Sequence, residues 1–467
     1  MTAIESAIAY LPELVDAQVR HTRLPGAQVA VRSADGLLAS FAVGCANAVT
    51  GEKLTPNHLF RIASHSKTFT GTAIMQLVEV GSMRLDDAIG AYVPSLEGSP
   101  LASATIRELL AHQSGIQRDG TNADFWQLER PFPSPEQLVA EIHAAGKIYE
   151  RNQFFKYSNV GYSLLGLAIE AASGKTYVDY CRDHIVEPLG LVNTGAEYDP
   201  SRADEYAAGH TALFLGENDR LVIEHVDTRS MSAATGFYST AADLTVYGSA
   251  HWMGDDRLIG DDSKRIMQRL ESTVTNYGKQ VGSYGVGMEV TKIRDRDVVG
   301  HSGGYPGHIT RTYIDPKNKL VVSVLTNSID GPAEQIAQAV FSVIDAAEAA
   351  MPGAEKKIAP AGGPSAQSFV GQYATLWGRF DVVKLDGRLV SLHPTLADVY
   401  GGIDELEIID ENTLRSFSQT SFGASGEDIH FERDDSGGVV SVTSNGITHW
   451  PVEAFLARRE RMTRVNK

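Results

Sequence analysis

Ser64 and Lys67 are the residues of this chain whose types and spacing most directly suggest covalent chemistry. A serine hydroxyl is a poor nucleophile near neutral pH, so an enzyme that uses one needs a base within hydrogen-bond reach. The residues after Ser64 show a helical apolar pattern, and positions three apart on a helix lie side by side. This spacing predicts that Lys67 Nζ lies over Ser64 Oγ. The positive end of the helix dipole would also favour an anion forming at the serine.

An ordinary structural interpretation competes with this one, namely a serine that caps a helix and an exposed lysine one turn later. The chemical interpretation therefore depends on partners elsewhere in the chain. Tyr157, Ser158 and Asn159 place a phenol, a hydroxyl and an amide just before another predicted helix. A tyrosine can pass protons if a nearby ammonium lowers its pKa, and an asparagine can hold both a lysine and a substrate amide. Alone, such a triplet is most often a helix cap.

His301, Ser302, Gly303 and Gly304 form a third candidate cluster, after a predicted strand. Glycines at a strand edge let a substrate backbone approach closely and expose backbone N–H groups as an oxyanion hole, although a glycine-rich turn is the ordinary alternative. Residues 300–304 also match Gly-x-Ser-x-Gly, the nucleophile elbow of α/β-hydrolases. That elbow requires a helix after the serine. Pro306, Gly307 and a β-type run follow instead, which disfavours it.

Length and charge limit what the chain could bind. Its 467 residues exceed what one hydrophobic core usually organises, which predicts two domains. A formal net charge of −17 argues against nucleic acid and membrane surfaces as partners.

The first residues do not resemble a secretory signal and no stretch is apolar enough to span a membrane, so we expect a cytoplasmic location. Cys45 and Cys181 suggest neither a disulfide framework nor a metal site, and no cofactor is expected.

The elements that would position these residues alternate between strand-like and helical segments. Strands are predicted at residues 28–32, 37–43, 284–290, 297–299, 309–314 and 320–325, and helices after Ser64, near residues 105–112, after Asn159 and at residues 332–347. Strands at both ends with helices between them indicate an α/β fold. One antiparallel sheet would join the two ends, flanked by helices and with an inserted helical subdomain.

The last hundred residues have a different texture. Residues 349–367 are rich in Ala, Pro, Gly and Lys without periodicity, which is typical of a linker. Beyond it, about eight short alternating runs are separated by turn signals such as Asp386-Gly387 and Asn445-Gly446, which predicts a small antiparallel barrel. We therefore expect a catalytic domain over residues 1–348, a linker at 349–367 and an all-β domain over 368–467.

In combination, Ser-x-x-Lys, Tyr-Ser-Asn and His-Ser-Gly are far more specific than any one of them. Together they resemble the motifs of the β-lactamase-related serine hydrolases of the S12 peptidase type, which include class C β-lactamases, D-aminopeptidases, D-Ala-D-Ala carboxypeptidases and esterases. The resemblance covers about residues 20 to 345. Residues 59–64, 109–116, 187–191 and 236–240 look like this family too. The barrel resembles the lipocalin-like domains of some relatives by texture only.

The resemblance implies a role for each motif residue. Ser64 would be the acylated nucleophile and Lys67 its proton acceptor, and Tyr157 would protonate the leaving group. Asn159 would orient Lys67 and the substrate. The backbone N–H groups of Ser64 and Gly304 would form the oxyanion hole, beside Ser302 and Gly303. His301 replaces the lysine of true β-lactamases, and a histidine is charged only in part near neutral pH.

These observations predict a serine hydrolase that acts through an acyl-enzyme on a small amide, peptide or ester. The peptide could contain a D-amino acid, and weak activity on penicillins is expected because the permanent charge of a lysine is missing at position 301. The partner would be a small molecule or short peptide, with a homo-oligomer as an open possibility. The alternative is a penicillin-binding or other ligand-binding protein of the same fold with little turnover.

Overall fold

A computed structural model of the chain describes residues 2–214, 216–349, 365–416 and 426–462. These residues form two compact units, one of residues 23–337 and the other of residues 1–22 and 338–467. The first unit contains every predicted site residue. The predicted domain boundaries at residues 348 and 367 stay a prediction, and most of the predicted linker lies outside the described residues.

The α-helices are distributed over both units. They are α1 (Ala3–His21), α2 (Ser66–Glu79), α3 (Ile106–Leu110), α4 (Pro135–Ala145), α5 (Asn159–Ser173), α6 (Tyr177–Cys181), α7 (Glu187–Leu189), α8 (Ala241–Ser249), α9 (Asp261–Gln268), α10 (Ala333–Glu348) and α11 (Val452–Met462).

The strands of the first unit include one large sheet and two short pairs. They are β1 (Gly26–Ser33), β2 (Gly36–Asn47), β3 (Glu52–Lys53), β4 (Phe60–Arg61), β5 (Gly209–His210), β6 (Val222–Ile223), β7 (Tyr238–Ser239), β8 (Ser272–Asn276), β9 (Lys279–Tyr284), β10 (Glu289–Ile293), β11 (Arg296–Tyr305), β12 (His308–Asp315) and β13 (Leu320–Thr326).

The large sheet has nine strands in the order β3-β2-β1-β13-β12-β11-β10-β9-β8, each antiparallel to its neighbour. β1 lies against β13, with Val29 opposite Val324, so the first and last strands of the unit meet in the middle of the sheet. Every residue of β13 is buried; the strand lies between β1 and β12, and α8 packs against it. The predicted α/β class with one antiparallel sheet joining the two ends is thereby confirmed.

Helix α2 lies in the centre of this unit and is almost entirely buried. Its residues Ser66 to Met75 are all buried, and their apolar members join one continuous core that extends from Ala30 on β1 to Leu325 on β13. Its buried threonine hydroxyls have hydrogen-bond partners, since Thr68 Oγ1 donates to His65 O at 2.8 Å and Thr72 Oγ1 donates to Thr68 O at 3.0 Å. Lys67 therefore lies on a helix that the surrounding core holds in place.

Two sequence predictions differ from the structure in detail. The strand predicted over residues 284–290 is split, since Gly287 has φ +84° and Gly285 N–H donates to Met288 O at 2.8 Å, which closes a turn between β9 and β10. Ser64 does not open α2 directly. It lies in a 3₁₀ turn, Ala63–His65, that continues into the helix at Ser66.

The second unit contains the predicted barrel, which is confirmed as eight antiparallel strands in a closed ring. They are β14 (Gly371–Thr375), β15 (Gly378–Leu385), β16 (Arg388–Leu392), β17 (Asp404–Asp410), β18 (Thr413–Ser416), β19 (Asp428–Arg433), β20 (Val439–Ser444) and β21 (Ile447–Pro451). A cluster of buried side chains that includes Phe369, Phe380 and Phe431 forms its core. Helix α1 belongs to this unit, and Tyr10 OH donates to the buried Asp381 carboxylate at 2.6 Å.

Candidate active site

The turn that carries Ser64 is fixed by its neighbours on both sides. Ala63 has a φ of +48°, a conformation that residues with a side chain adopt rarely and that persists only where the surrounding structure enforces it. Ser66 Oγ donates to Ala63 O at 2.6 Å and accepts a hydrogen bond from Phe237 N at 3.0 Å. The nucleophile candidate therefore lies at a defined position between β4 and α2.

Lys67 is fully buried and its Nζ contacts three oxygen atoms. Ser64 Oγ lies at 3.0 Å, Asn159 Oδ1 at 2.7 Å and Ala234 O at 2.8 Å. The predicted Ser64–Lys67 contact is therefore present. Ala234 lies in a π-helical turn, Ser232–Gly236, that packs against α2 and α5.

Burial lowers the pKa of Lys67 well below its ordinary value, because an ammonium loses its hydration in this core. The carboxylates of Asp119 and Glu289 oppose this shift and the Arg118 guanidinium reinforces it. A neutral lysine amine has two N–H donors and one lone pair. Two donors satisfy the carbonyl oxygens of Asn159 and Ala234, which directs the lone pair toward the Ser64 hydroxyl.

Tyr157 lies on the other side of the serine. Its OH donates to Ser64 Oγ at 2.9 Å, and its ring centroid lies 4.8 Å from Lys67 Nζ. The condition named for proton transfer by this tyrosine, a pKa lowered by a nearby ammonium, is not met. Burial raises the pKa of Tyr157, and the hydrogen bond to Ser64 offsets only part of that rise. Tyr157 is therefore a protonated phenol that donates to the serine oxygen.

Asn159 begins α5, directly after the helix cap Ser158, whose Oγ accepts from Gly161 N at 2.9 Å. The amide connects Lys67 to Asp119, since Oδ1 accepts from Lys67 Nζ and Nδ2 donates to Asp119 Oδ1 at 2.7 Å. Both interpretations of the Tyr157–Asn159 triplet hold at once: Ser158 caps the helix, and its two neighbours reach Ser64 and Lys67.

His301 is 1% exposed and lies within β11. Its Nδ1 lies 2.6 Å from Ser302 O, so this nitrogen carries the proton, and Nε2 accepts from Tyr284 OH at 2.9 Å. Burial lowers the pKa of His301 to about 4, although Glu289 opposes the shift. The expectation of a partly charged histidine is therefore wrong, because the imidazole is neutral near pH 7 and packs beside Tyr157, with ring centroids 6.4 Å apart.

Gly303 and Gly304 place the end of β11 close to the serine turn. A Cβ on Gly303 would lie 2.3 Å from Ile62 O, so only glycine allows this approach, whereas a Cβ on Gly304 would have its nearest contact at 3.5 Å. Antiparallel pairs alternate between hydrogen-bonded and open positions. The Ser302 N–H points away from β12 and donates to Glu289 Oε1 at 3.4 Å, on the β10 side of β11. N–H groups two residues apart on a strand point to the same side, so the Gly304 N–H also points to the β10 side, where β10 has already ended.

Sequence reasoning missed two charged side chains beside this strand. Glu289 is 26% exposed, accepts from Ser302 Oγ at 3.0 Å and pairs with Arg311. Burial alone would raise the pKa of Glu289, but the Arg311 guanidinium outweighs it and holds the pKa at about 2. No recognisable motif surrounds either residue, since the pairing of β10, β11 and β12 brings them together.

Sequence reasoning also missed Asp119. Its carboxylate accepts from Asn159 and from Trp126 Nε1, at 3.0 Å, and pairs with Arg118. Over the residues that the structure describes, no group of three or more His, Cys, Asp or Glu side chains could hold a metal ion, and no helix is long and apolar enough to cross a membrane.

Comparison with known proteins adds independent information. Residues 11–343 match the family model described as Beta-lactamase. Penicillin-binding protein 4* of Bacillus subtilis (strain 168) is 30% identical over 304 residues, and the match spans 62% of this chain and 66% of that protein.

Two solved structures have a similar fold. The octameric penicillin-binding protein homologue from Pyrococcus abyssi has a TM-score of 0.64 at 22% identity, and the match covers 95% of this chain and 99% of the homologue. The D-amino acid amidase from Ochrobactrum anthropi SV3, complexed with D-phenylalanine, has a TM-score of 0.63 at 23% identity, with 73% of this chain and 99% of the amidase covered.

Proposed function

The chain belongs to the Beta-lactamase family, and from this premise we propose that it is a serine hydrolase that works through an acyl-enzyme on Ser64. The observation that carries the proposal is the double hydrogen bonding of Ser64 Oγ, to Lys67 Nζ at 3.0 Å and to Tyr157 OH at 2.9 Å. A serine held between a neutral amine and a phenol has a base and an acid within reach.

In the first step the Lys67 lone pair takes the Ser64 hydroxyl proton while Oγ attacks the carbonyl carbon of the substrate. The carbonyl oxygen becomes an oxyanion, which the N–H groups of Ser64 and Gly304 would stabilise. Removing one such donor typically costs about 10²- to 10³-fold in rate. The Ser64 N–H lies at the start of a helical turn, where the first N–H groups have no partner within the helix.

Collapse of this intermediate requires a proton on the leaving group. Tyr157 gives its phenol proton to the leaving nitrogen or oxygen and regains one from the Lys67 ammonium. The raised pKa of Tyr157 suits this role, since the phenol is protonated before it acts. A water molecule then attacks the acyl-enzyme with Lys67 again as the base, and the carboxylic acid and free Ser64 result.

The charges around the site favour amides and esters over penicillins. The neutral His301 supplies no positive charge to a substrate carboxylate, and the Arg311 guanidinium is already paired with Glu289. The nearby charges that act on Lys67 include the carboxylates of Glu289 and Asp119. We therefore propose small, neutral or amine-bearing acyl groups as substrates, of which amino acid amides, the substrate type in the name of the solved amidase, are the first to test.

The test is a substrate panel of D- and L-aminoacyl p-nitroanilides, p-nitrophenyl esters and a chromogenic cephalosporin. We expect kcat/KM on the best amide or ester to exceed that on the cephalosporin at least about tenfold, a difference of about 1.4 kcal/mol in transition-state stabilisation. Ser64→Ala should abolish turnover at an unchanged melting temperature. Turnover that survives in Ser64→Ala would refute the proposal, and acylation without deacylation would favour a ligand-binding protein.

We also propose that the chain forms a homo-oligomer, because a similar fold over 95% of its length is found in a homologue described as octameric. Light scattering during size exclusion tests this, and a single species with the mass of one chain at all concentrations would refute it.

A further inference from the structure

Residues 117–119, in the long connection between α3 and α4, are attached to the first turn of α5. Arg118 O accepts from Asn159 N at 2.8 Å and from Val160 N at 3.1 Å, and Ser158 Oγ donates to Gln117 O at 2.7 Å. These bonds satisfy N–H groups that a helix start leaves without partners. Residues 117–119 therefore keep a fixed place beside Asn159, although the rest of the loop extends to the surface.

The Asp119 carboxylate is the last polar group of this segment, and its side chain is only 11% exposed. Oδ1 accepts from Asn159 Nδ2 at 2.7 Å and from Trp126 Nε1 at 3.0 Å, and Oδ2 lies 3.0 Å from Arg118 Nε. An ionised carboxylate only accepts hydrogen bonds, so Asn159 must turn its NH₂ group toward Asp119. The carbonyl oxygen of the amide then faces Lys67.

The opposite orientation of the Asn159 amide would place its NH₂ group against Lys67 Nζ. The NH₂ group would then donate to the Lys67 lone pair across the same 2.7 Å, and the carbonyl oxygen would face a carboxylate, which is unfavourable in a buried site. Lys67 would keep Ala234 O as its carbonyl acceptor, but its lone pair would be directed to Asn159 instead of Ser64. One amide orientation supports an activated serine, and the other does not.

We propose that Asp119 is a positioning residue that fixes the Asn159 amide with its oxygen toward Lys67, and thereby directs the lysine lone pair to Ser64. The catalytic consequence rests on the proposed function, but the effect on Lys67 does not. Asp119 touches neither Ser64 nor Lys67 through a hydrogen bond in the structure, so it acts through Asn159.

The charge of Asp119 and its effect on the orientation of the Asn159 amide can be separated by substitution. The groups that act on Lys67 are Asp119, Glu289 and Arg118, with the neutral Tyr157 and His301 close by. The Asp119 charge raises the pKa of Lys67. Asp119→Asn removes this charge but keeps a carbonyl oxygen that can accept from Asn159 and Trp126. Asp119→Ala removes both.

The experiment measures the rate of Ser64 acylation by a fluorophosphonate between pH 5.5 and 10 in the full-length chain. We expect Asp119→Asn to keep the limiting rate within about threefold, with its acidic limb shifted to lower pH since Lys67 loses a proton more easily. Asp119→Ala should lower the limiting rate about 10- to 100-fold, the usual range for losing a supporting contact. In an Asn159→Ala background, Asp119→Ala should have almost no further effect, because the residue through which it acts is gone.

A second readout needs no reaction at all. A ¹³C NMR titration of the lysine side chains, with Lys67 assigned through Lys67→Arg, should give a Lys67 pKa that falls from wild type to Asp119→Asn and falls again in Asp119→Ala. If the wild type forms no Ser64 adduct, the proposed function fails. The order of the three Lys67 pKa values still tests whether Asp119 positions Asn159. Asp119→Asn also decides it if the alanine variant does not fold.

Asp124→Ala is the matched control. This residue lies in the same loop and is exposed, and its carboxylate accepts a hydrogen bond from Gln127 Nε2 at 3.2 Å instead of from Asn159. Its acylation rate and Lys67 titration should equal those of the wild type. The proposal is overturned if Asp119→Asn loses as much rate as Asp119→Ala, if the Asp119→Ala and Asn159→Ala losses multiply in the double variant, or if the Lys67 pKa is the same in all variants.

Discussion

Lys67 has three oxygen neighbours, and a neutral amine has only two hydrogens to donate. This mismatch is what makes the residue a base, because the two carbonyl oxygens take the donors and the serine hydroxyl is left with the lone pair. An ammonium, with three donors, would satisfy all three oxygens equally well. Burial selects the neutral form by lowering the pKa of Lys67.

Lys67→Arg tests this account at the residue scale. An arginine stays protonated and has no lone pair to offer, although it keeps N–H donors for the neighbouring oxygens. We expect the acylation rate of Ser64 to fall about 10²- to 10⁴-fold, the usual contribution of a general base. The control is Lys175→Arg, an exposed lysine paired with Asp183, which should leave the rate unchanged. A Lys67→Arg rate within threefold of wild type would show that the lysine is not the base.

Which residues could be predicted from the sequence depended on how close they lie along the chain. Ser64 and Lys67 are one helical turn apart, and Tyr157 and Asn159 flank a helix start, so local periodicity was enough. Asp119, Glu289 and Arg311 reach the site through loop packing and strand pairing across many residues, which no local pattern encodes. The charge state of His301 was mispredicted because burial and its partner Tyr284 are tertiary features.

At the scale of elements, the site depends on β11 passing close to the serine turn. The two glycines of His301–Gly304 have different surroundings although they are adjacent. A Cβ on Gly303 would lie 2.3 Å from Ile62 O and 2.4 Å from Thr310 Oγ1, and either β11 or the Ala63–His65 turn would have to move. Gly304 is exposed and its nearest contact would be Ile309 Cδ1 at 3.5 Å.

Gly303→Ala should therefore lower the melting temperature by several degrees, as about 1–3 kcal/mol of overpacking would in a domain of this size. Its acylation rate should fall at least about tenfold, because the Ser64 and Gly304 N–H groups would separate. Gly304→Ala keeps its N–H and meets no close atom, so its stability should match wild type. Equal melting temperatures for the two variants in calorimetry would contradict this description of the strand.

The two hairpins of the sheet, the helices after Ser64 and Asn159, the helix before the linker and the eight barrel strands were predictable, because they have regular apolar patterns and clear turn residues. Helices α4, α8, α9 and α11 and strand β8 were not predicted. Two further departures occur where backbone geometry departs from a regular element. The Ala63–His65 turn, with its positive φ, and the turn at Gly285–Met288 both interrupt runs whose residue types look continuous.

At the scale of the whole molecule, buried histidines should make stability depend on pH. Burial lowers the pKa of seven histidines in the first unit, to about 3 for His65, to about 4 for His225, His251 and His301, well below normal for His112 and His308, and below normal for His210. Burial raises the pKa of Glu197 and Asp243, which acts in the opposite direction but involves fewer groups. The unfolded chain therefore binds more protons than the folded one below pH 6.5.

This stabilisation is fully present above about pH 6.5 and is lost as the pH falls toward 4. Each histidine adds a slope of up to about 1.4 kcal/mol per pH unit in that window. We expect the melting temperature to fall steadily from pH 7 to pH 5. His225→Phe should reduce the pH dependence of the unfolding free energy by the contribution of about one bound proton. A melting temperature that is constant or rises between pH 7 and pH 5 would contradict the buried, neutral state of these side chains.

Whether Ser64 is the acylated nucleophile can be read from the mass of the chain after incubation with a fluorophosphonate. We expect one adduct per chain on the peptide that contains Ser64, absent in Ser64→Ala and formed at least about a hundred times more slowly in Lys67→Arg. Folded wild-type protein that gains no mass, or an adduct that persists in Ser64→Ala, would contradict this expectation.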